Sequence, residues 1–196
     1  MIFGIDIDDT ISNTYEVIMA YAQEYTINFL KREPLLREEL DCTNHMYAQY
    51  LHMWNDSDDK EFLANYYERL INNVRPKTLA LEYLNKIHDE GNKIIIITAR
   101  WKNDYFDVVE ATKRWLERYN IPYDELITDA DDKVGICKDK NIDVFIDDSL
   151  YNCKKVADAG IKSYIMDAII NRGEKFDNVT RVYSWPHLYM RLKEDK

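Results

Sequence analysis

Four short aliphatic runs constrain the fold of this chain more than any other feature of its sequence. They cover residues 2–7, 93–98, 142–146 and 161–166, each about the length of a strand and bounded by polar residues or Gly. As a group they are rich in Ile and Val, and their apolar character is continuous rather than alternating, which is typical of strands covered on both faces. The runs therefore predict a parallel β-sheet between two layers of helices.

Helical patterns alternate with these runs. We predict helices over residues 78–90, 104–119, 133–140 and 150–159, of which the first and last are followed by Gly91 and Gly160. A weaker strand is predicted over 125–128, and a final strand over 179–183 precedes a helix that begins at Trp185-Pro186. The alternation predicts a doubly wound α/β core.

The segment between the first two runs does not fit this alternation. Residues 13–74 contain no strand-like run but carry helical stripes such as Phe62, Tyr66 and Leu70. We predict a helical insertion over 13–74 within a core formed by residues 1–12 and 75–196. Pro34 and the polar stretch 55–60, with Ser57 or Asp58 as a helix N-cap, divide the insertion into three or four helices. Its many aromatic residues are expected to pack these helices together.

Composition excludes several classes of partner. The 196 residues include 26 Lys and Arg against 36 Asp and Glu, a net charge of −10, which argues against binding to DNA or RNA polymers. The three Cys residues form no C-x-x-C pair, as expected of reduced thiols. No apolar stretch is long enough for a membrane span or signal peptide, so we expect a cytoplasmic protein without a membrane partner.

Carboxylates are concentrated where two predicted strands end. Asp6 and Asp8 follow the first run, and Asp147 and Asp148 follow the third. Ligands bind outside the carboxyl ends of strands in such sheets, so both clusters are expected to face one crevice. Carboxylates this close repel one another, and oxygen ligands at this density favour a hard divalent cation, Mg²⁺ before zinc.

Further polar residues belong to the same predicted crevice. The second run ends in Thr98-Ala99-Arg100, and Lys133 begins the helix that precedes the third run. A hydroxyl, an ammonium group and helix N-terminal amides are donors suited to phosphoryl oxygens.

The order of these motifs resembles the haloacid dehalogenase (HAD) superfamily of phosphotransfer enzymes. The resemblance covers residues 1 to about 12 and 75 to 167, and it implies a HAD-like, Rossmann-type core with a helical cap after the first strand. It assigns Asp6 as the nucleophile, Asp8 as the general acid/base and Thr10 as a residue that steadies the loop. Asp9 departs from the glycine usual at its position.

The resemblance also assigns the phosphate and metal sites. Thr98 would hydrogen-bond the phosphoryl group, and Lys133 would neutralise the negative charge of both that group and Asp6. Ala99 and Arg100 would lie in the same phosphate-binding loop. Mg²⁺ would be ligated by Asp6, the Asp8 carbonyl and Asp147, with Asp148 beside the ion or acting through a water. An acid at position 8 favours a phosphatase over dehalogenase or ATPase relatives.

Within the superfamily, the motifs I-D-I-D-D-T-I, I-T-A-R and F-I-D-D-S most resemble cytosolic 5′(3′)-deoxyribonucleotidases and their bacterial relatives. This implies a small phosphorylated substrate, a nucleoside monophosphate first and a sugar phosphate or other metabolite second. Trp54, Tyr47 and Tyr50 are candidates by residue type for stacking on a base. Arg100 is expected either to contact phosphate or sugar, or to have a helix-capping or surface role.

Two other functions remain as alternatives to a phosphatase. A receiver-like signalling module also gathers Asp, Thr and Lys around Mg²⁺, but its phosphorylated Asp lies on a middle strand and it carries no helical cap. A catalytically silent binding protein would keep its properties when Asp6 is replaced by Asn.

Overall fold

The chain folds around one six-stranded parallel sheet. The computed structural model describes residues 1–34, 53–173 and 177–194. The strand order is β3-β2-β1-β4-β5-β6, and every neighbouring pair is parallel. The strands are β1 (Ile2–Ile5), β2 (Lys93–Ile97), β3 (Glu125–Ile127), β4 (Val144–Asp147), β5 (Lys162–Met166) and β6 (Val179–Val182). This arrangement confirms the predicted doubly wound α/β core.

Seven α-helices are described, and a short 3-10 turn covers Ile169–Asn171. They are α1 (Thr14–Asn28), α2 (Asp56–Asn73), α3 (Ala80–Asp89), α4 (Val108–Arg118), α5 (Lys133–Asp139), α6 (Leu150–Asp158) and α7 (Trp185–Glu194). The helix predicted from residue 104 begins at Val108, because the Asp107 side chain accepts the N–H of Glu110 as an N-cap. Within the described ranges, no helix has the length and apolar character needed to cross a membrane.

Apolar residues cover both faces of the sheet, as the continuous runs predict. On one face, Ile94 and Ile96 share a buried cluster with residues of α3, α4 and α7. On the other face, Ile95 and Ile97 pack with residues of α5 and α6. Strand β1 lies between β2 and β4, and a Cβ at Gly4 would come within 2.9 Å of Ile97 Cδ1. Glycine therefore permits the close packing around the central strand.

Helices α1 and α2 lie between β1 and α3 in the chain and pack through aromatic residues. Tyr25 of α1 contacts Trp54, Phe62 and Tyr66 at ring-centroid distances of 5.2, 5.7 and 6.0 Å. All four side chains are buried. The predicted packing role of the aromatic residues is confirmed for this cluster, whereas the extent of 13–74 as a separate domain stays a prediction.

The predicted subdivision of the insertion is corrected at the N-cap of α2. The N-cap of α2 is Asn55 rather than Ser57 or Asp58, because its side chain accepts the N–H groups of both those residues. Helix α1 ends at Asn28, before Pro34. Tyr47 and Tyr50, and any further helix of the insertion, lie outside the described residues.

The C-terminal end of α2 is held against the core. Trp115 Nε1 of α4 donates to the Val74 carbonyl at 2.8 Å, and Arg118 Nη1 donates to the Asn72 carbonyl at 2.6 Å. Tyr67 of α2 also stacks on Trp101, with centroids 4.6 Å apart. These contacts fix where α2 stands relative to the carboxyl edge of the sheet.

The burial of β2 gives a test of the core. Ile96 is fully buried, so Ile96→Ala is expected to lower the free energy of unfolding in urea by about 2–5 kcal/mol. The matched variant Ile27→Ala removes the same atoms from an exposed position on α1 and should change stability by less than about 0.5 kcal/mol. Equal effects of the two substitutions would contradict the assigned core.

Candidate active site

A cavity of about 620 Å³ opens between the carboxyl edge of the sheet and helices α1 and α2. Its polar wall comes from strand ends and loops, and its apolar wall comes mainly from α2, the loop after β2 and α6. The polar residues include Asp6, Asp8, Arg100, Lys133, Asp147 and Asp148. The apolar and aromatic residues include Phe62, Leu63, Tyr67, Leu70, Trp101 and Tyr151.

Lys133 connects the two strand ends that carry the acidic residues. Asp6 follows β1, and its backbone N–H donates to the Ile146 carbonyl at 2.9 Å, which extends the contact with β4. Lys133 Nζ, from the first residue of α5, donates to Asp6 Oδ1 and to Asp147 Oδ2, both at 2.7 Å. All three side chains are buried. The structure thus brings together the predicted nucleophile, metal ligand and lysine.

Asp147 is the better satisfied carboxylate of the Asp147-Asp148 pair. Its Oδ1 accepts the Ser149 N–H at 2.7 Å, and its Oδ2 also accepts from Asn152 Nδ2 at 3.2 Å. Asp148 is only 8% exposed, and its carboxylate accepts no hydrogen bond from a residue in the described ranges. Since Asp148 lines the cavity, a cation bound there would stabilise its ionised form.

The pKa values of this cluster reflect too many buried negative charges. Burial raises the pKa of Asp6 to about 7; Lys133 counteracts the increase, and Asp147 and Asp8 add to it. Burial also raises the pKa of Asp148 well above its usual range, with Asp147 as the next cause. Three carboxylates face one ammonium group here, so protonation relieves part of the repulsion.

The same cluster has the chemistry of a cation site. Oxygen atoms of Asp6, Asp147 and Asp148 lie within 4.8 Å of one another, and all three residues are buried. Oxygen-only ligands suit a hard divalent ion, which would offset the two negative charges left after pairing with Lys133. The unbonded carboxylate of Asp148 fits the same role.

Asp8 has a separate cationic partner. Arg100 Nε donates to Asp8 Oδ2 at 2.9 Å, and Arg100 Nη2 donates to Oδ1 at 2.8 Å, while Thr14 Oγ1 donates to Oδ1 at 2.7 Å. Burial alone would raise the pKa of Asp8, but Arg100 and Thr14 outweigh it and hold that pKa below its usual range. The guanidinium side chain is 1% exposed, so the surface and helix-capping alternatives for Arg100 are wrong.

The loop after β1 is a tight turn. The N–H groups of Thr10, Ile11 and Ser12 all donate to the Ile7 carbonyl, at 3.2, 2.9 and 2.9 Å. Asp9 has a φ of +55°, in the region that favours glycine, and its carboxylate accepts the N–H of Tyr15. This bond explains how an aspartate replaces the expected glycine. The Thr10 hydroxyl is buried without a hydrogen-bond partner among the described residues, so its backbone makes the bond in this turn.

Only some residues of the loop after β2 line the cavity. Thr98 is fully buried, and its Oγ1 accepts the Arg100 N–H at 3.3 Å. Ala99 and Arg100 line the cavity, whereas Thr98 is not among the residues that do. The structure therefore places Thr98 behind the turn that forms the cavity wall.

Of the three aromatic residues predicted to stack on a base, only Trp54 lies within the described residues, and that prediction is wrong. Trp54 is 6% exposed, packs on Tyr25 and Phe62, and does not line the cavity. Trp101, which directly follows the I-T-A-R motif, lines the cavity and is 40% exposed. Adjacency to that motif is a sequence signal that could have identified Trp101.

Two polar residues near the acidic groups are also absent from the prediction. Thr14 begins α1 and bonds Asp8, and Asn152 lies in the first turn of α6 and bonds Asp147. A polar residue in the first helical turn after an acidic strand end is the signal that identifies Asn152. Thr14 has no comparable signal, since it meets Asp8 only through the turn at residues 7–12.

Fold comparison shows which solved structures this chain resembles. The chain is similar to a haloacid dehalogenase-like family hydrolase of Streptococcus pneumoniae, with a TM-score of 0.69, 10% identity and 97% of each chain covered. It is also similar to CbbY of Rhodobacter sphaeroides crystallised with xylulose-(1,5)bisphosphate, with a TM-score of 0.67, 14% identity and 95% of each chain covered. The chain thus shares its fold with these two proteins.

Sequence comparison narrows the class to a family. Residues 1–194 match the model of the 5′ nucleotidase, deoxy (pyrimidine), cytosolic type C proteins, and the chain belongs to that family. It is 27% identical to a nucleotidase of Clostridium acetobutylicum over 186 residues, which cover 94% of this chain and 90% of the relative. The protein is therefore a phosphoric monoester hydrolase.

The unsatisfied Asp148 gives a stability prediction. A carboxyl group whose pKa is higher in the folded state than in the unfolded state loses stabilisation as pH rises from about 4 through the folded pKa. Asp148→Asn should therefore raise the free energy of unfolding in EDTA at about pH 8 by about 1–3 kcal/mol.

The advantage of Asp148→Asn should shrink as the pH falls to about 4 and below, where the wild-type carboxyl becomes protonated in the unfolded state as well. The matched control is Asp139→Asn, at an exposed position near the end of α5. An Asp148→Asn protein less stable than wild type in EDTA would show that the Asp148 carboxylate is satisfied in a way that the geometry does not reveal.

Proposed function

We propose that this protein is a Mg²⁺-dependent nucleotidase that hydrolyses a nucleoside monophosphate through a phosphorylated Asp6. The observation that supports this most directly is the position of Asp6, bonded to Lys133 at 2.7 Å beside two further buried carboxylates at the cavity. Membership of a nucleotidase family supports the substrate class. As a cytoplasmic enzyme it would act on a small phosphorylated metabolite.

The metal would be held by this chain's own oxygen atoms. Asp6 and Asp147 would ligate Mg²⁺ with the Asp8 carbonyl, and Asp148 would lie beside the ion or bond it through a water. When bound there, Mg²⁺ would offset the charge of the phosphoryl group and of the carboxylates that face it.

Asp6 is suited to nucleophilic attack on phosphorus. Its carboxylate lies at the end of a rigid strand, and Lys133 reduces the repulsion between this anion and an anionic substrate. The turn at residues 98–100 would bind phosphoryl oxygens on the other side, with Ala99 in the cavity wall and Thr98 fixing the turn from behind. The turn around Thr10 would hold Asp6 and Asp8 at fixed positions relative to each other.

Asp8 would move the proton in each half-reaction. As a carboxylate, the form that Arg100 and Thr14 favour, it would accept a proton from the water that attacks the phosphorylated Asp6. The acid formed in this way would protonate the leaving oxygen of the next substrate. Its side chain is 32% exposed, more than that of Asp6 or Asp147, so it is accessible from the cavity.

The apolar wall of the cavity supports a substrate with a base. Trp101 stacks on Tyr67, with an interplanar angle of 16°, and retains exposed surface at the cavity. A nucleobase can stack on such a surface, whereas a sugar phosphate gains little from it. We further propose that residues 13–74 act as a cap over this cavity.

Replacing the nucleophile tests the chemistry. Asp6→Asn should lower kcat for nucleoside monophosphates by about 10⁴–10⁶, since the bond-forming carboxylate is lost. The measurement is phosphate release with Mg²⁺ present, and the exposed Asp89→Asn serves as a control with unchanged rate. If the Asp6→Asn protein hydrolysed substrate at the wild-type rate, the phosphoenzyme mechanism would be wrong.

Replacing the stacking residue tests the substrate. Trp101→Ala should raise KM for nucleoside monophosphates about 5–30-fold, which corresponds to a stacking free energy of about 1–2 kcal/mol. Trp101→Phe keeps an aromatic ring and should stay within about 3-fold of wild type. The same variants should leave KM for sugar phosphates nearly unchanged. Activity of the wild-type protein on sugar phosphates, with none on any nucleotide, would establish the alternative substrate class.

A further inference from the structure

Arg100 is the second buried cation of the site, and the proposed reaction has no direct use for it. Its side chain is 1% exposed, against 32% for Asp8. Arg100 Nη1 lies 3.4 Å from Thr112 Oγ1 of α4, and the guanidinium carbon lies 5.6 Å from the centre of the Trp115 ring. Residues of the core thus contact Arg100 on one side, and Nε and Nη2 of Arg100 bond Asp8 on the other.

The contact with Asp8 has a directional geometry. Nε and Nη2 of Arg100 bond the two oxygens of one carboxylate, a paired arrangement that a planar guanidinium makes and an ammonium group cannot. Such a pair fixes the plane of the carboxylate as well as its place.

Thr14 restrains the same carboxylate from the insertion. Its hydroxyl bonds Asp8 Oδ1, and it lies 2.7 Å from the Ser12 hydroxyl, which in turn donates to the Ile7 carbonyl. Both oxygens of Asp8 are therefore bonded on the side of the protein. Both residues border the cavity, but Asp8 keeps exposed surface there whereas the guanidinium side chain is almost fully buried.

We infer that Arg100 is a positioning residue that acts through Asp8: it holds the Asp8 carboxylate in one orientation toward the reacting group and does not itself bind the substrate phosphate. The inference rests on the proposed function, and it replaces the phosphate or sugar contact expected for Arg100 from the sequence.

Orientation of Asp8 matters to both half-reactions. In the first, a bond forms between an Asp6 oxygen and phosphorus, the bond from phosphorus to the leaving oxygen breaks, and the protonated form of Asp8, which the second half-reaction regenerates, gives that oxygen its proton. In the second, a water oxygen bonds phosphorus, Asp8 accepts the water proton, and the bond from phosphorus to Asp6 breaks. The sum is ester plus water giving alcohol plus phosphate, with Asp6 and Asp8 restored.

An ester with a good leaving group separates the two half-reactions. p-Nitrophenolate leaves without a proton, so the first turnover of p-nitrophenyl phosphate does not need Asp8 as an acid. Hydrolysis of the phosphorylated Asp6 still needs Asp8 as a base. Loss of orientation should therefore slow steady-state turnover and spare the first release of nitrophenol.

The experiment is rapid mixing of Arg100→Gln and Arg100→Lys proteins with p-nitrophenyl phosphate and Mg²⁺. For Arg100→Gln we expect a first-turnover rate within about 3-fold of wild type and a steady-state rate lower by about 10–10³-fold, within the range of a lost general base. Arg100→Lys keeps the charge without the paired geometry and should recover part of this loss. Arg114→Gln is the matched control, an exposed arginine of α4 whose carboxylate partners lie 3.7 and 3.8 Å away.

The Asp8→Asn background shows whether Arg100 acts through Asp8. There, Arg100→Gln should change the steady-state rate by less than about 2-fold, because the group it orients is already gone. A rise in KM that persists in the Asp8→Asn background would overturn the inference, since Arg100 would then bind the phosphate itself.

A purely structural role has a different signature. Equal losses of the first-turnover and steady-state rates, in both the Gln and the Lys variants, would also overturn the inference. These results presuppose an active wild type: absence of hydrolysis of every phosphate monoester by the wild-type protein would overturn the proposed function together with the inference.

Discussion

The site depends on one buried ammonium group. Lys133 lies 2.7 Å from carboxylate oxygens of both Asp6 and Asp147, which end neighbouring strands of the sheet. Removing three charged groups from water is costly, and the cost is offset only where short, well-directed bonds form between them. Here those bonds require that β1 and β4 be adjacent and that α5 begin at Lys133. The apolar packing of both sheet faces therefore sets the geometry on which the chemistry rests.

The two buried cations divide the acidic residues into two sets. Lys133 serves Asp6 and Asp147, and Arg100 serves Asp8. The pKa of Asp8, which has its own arginine, is lowered, whereas burial raises the pKa of Asp6, which shares Lys133 with Asp147, and of Asp148, which is not bonded to the lysine. The net charge of −10 thus has a local counterpart, a cluster whose excess negative charge suits a divalent cation. An acidic protein can bind an anionic substrate when a divalent cation and a buried lysine provide positive charge at the site itself.

Sequence patterns predicted the strands, which have a recognisable periodicity. They did not predict the side-chain contacts that depend on a turn or on residues far apart in the chain. Continuous runs rich in Ile and Val predict four of the six strands, two of them with acidic residues at the end, because strands buried on both faces are apolar along their whole length. The pairing of Arg100 with Asp8 joins residues 92 positions apart, and no local rule specifies it. Trp54 was a candidate by residue type alone, and the structure shows it packed in the aromatic cluster of α1 and α2.

Two consecutive residues, Arg100 and Trp101, connect the α/β core to helix α2. Arg100 is fixed to the core by Thr112, Trp115 and Asp8, whereas Trp101 stacks on Tyr67 of α2. Because Arg100 is buried and bonded to the core, its neighbour Trp101 is held close to the acidic residues. A base stacked on Trp101 would then have a defined place relative to Asp6 and Asp8. In the proposed function, the core would thus position both the phosphate and the base, and the contribution of the insertion would be to exclude water.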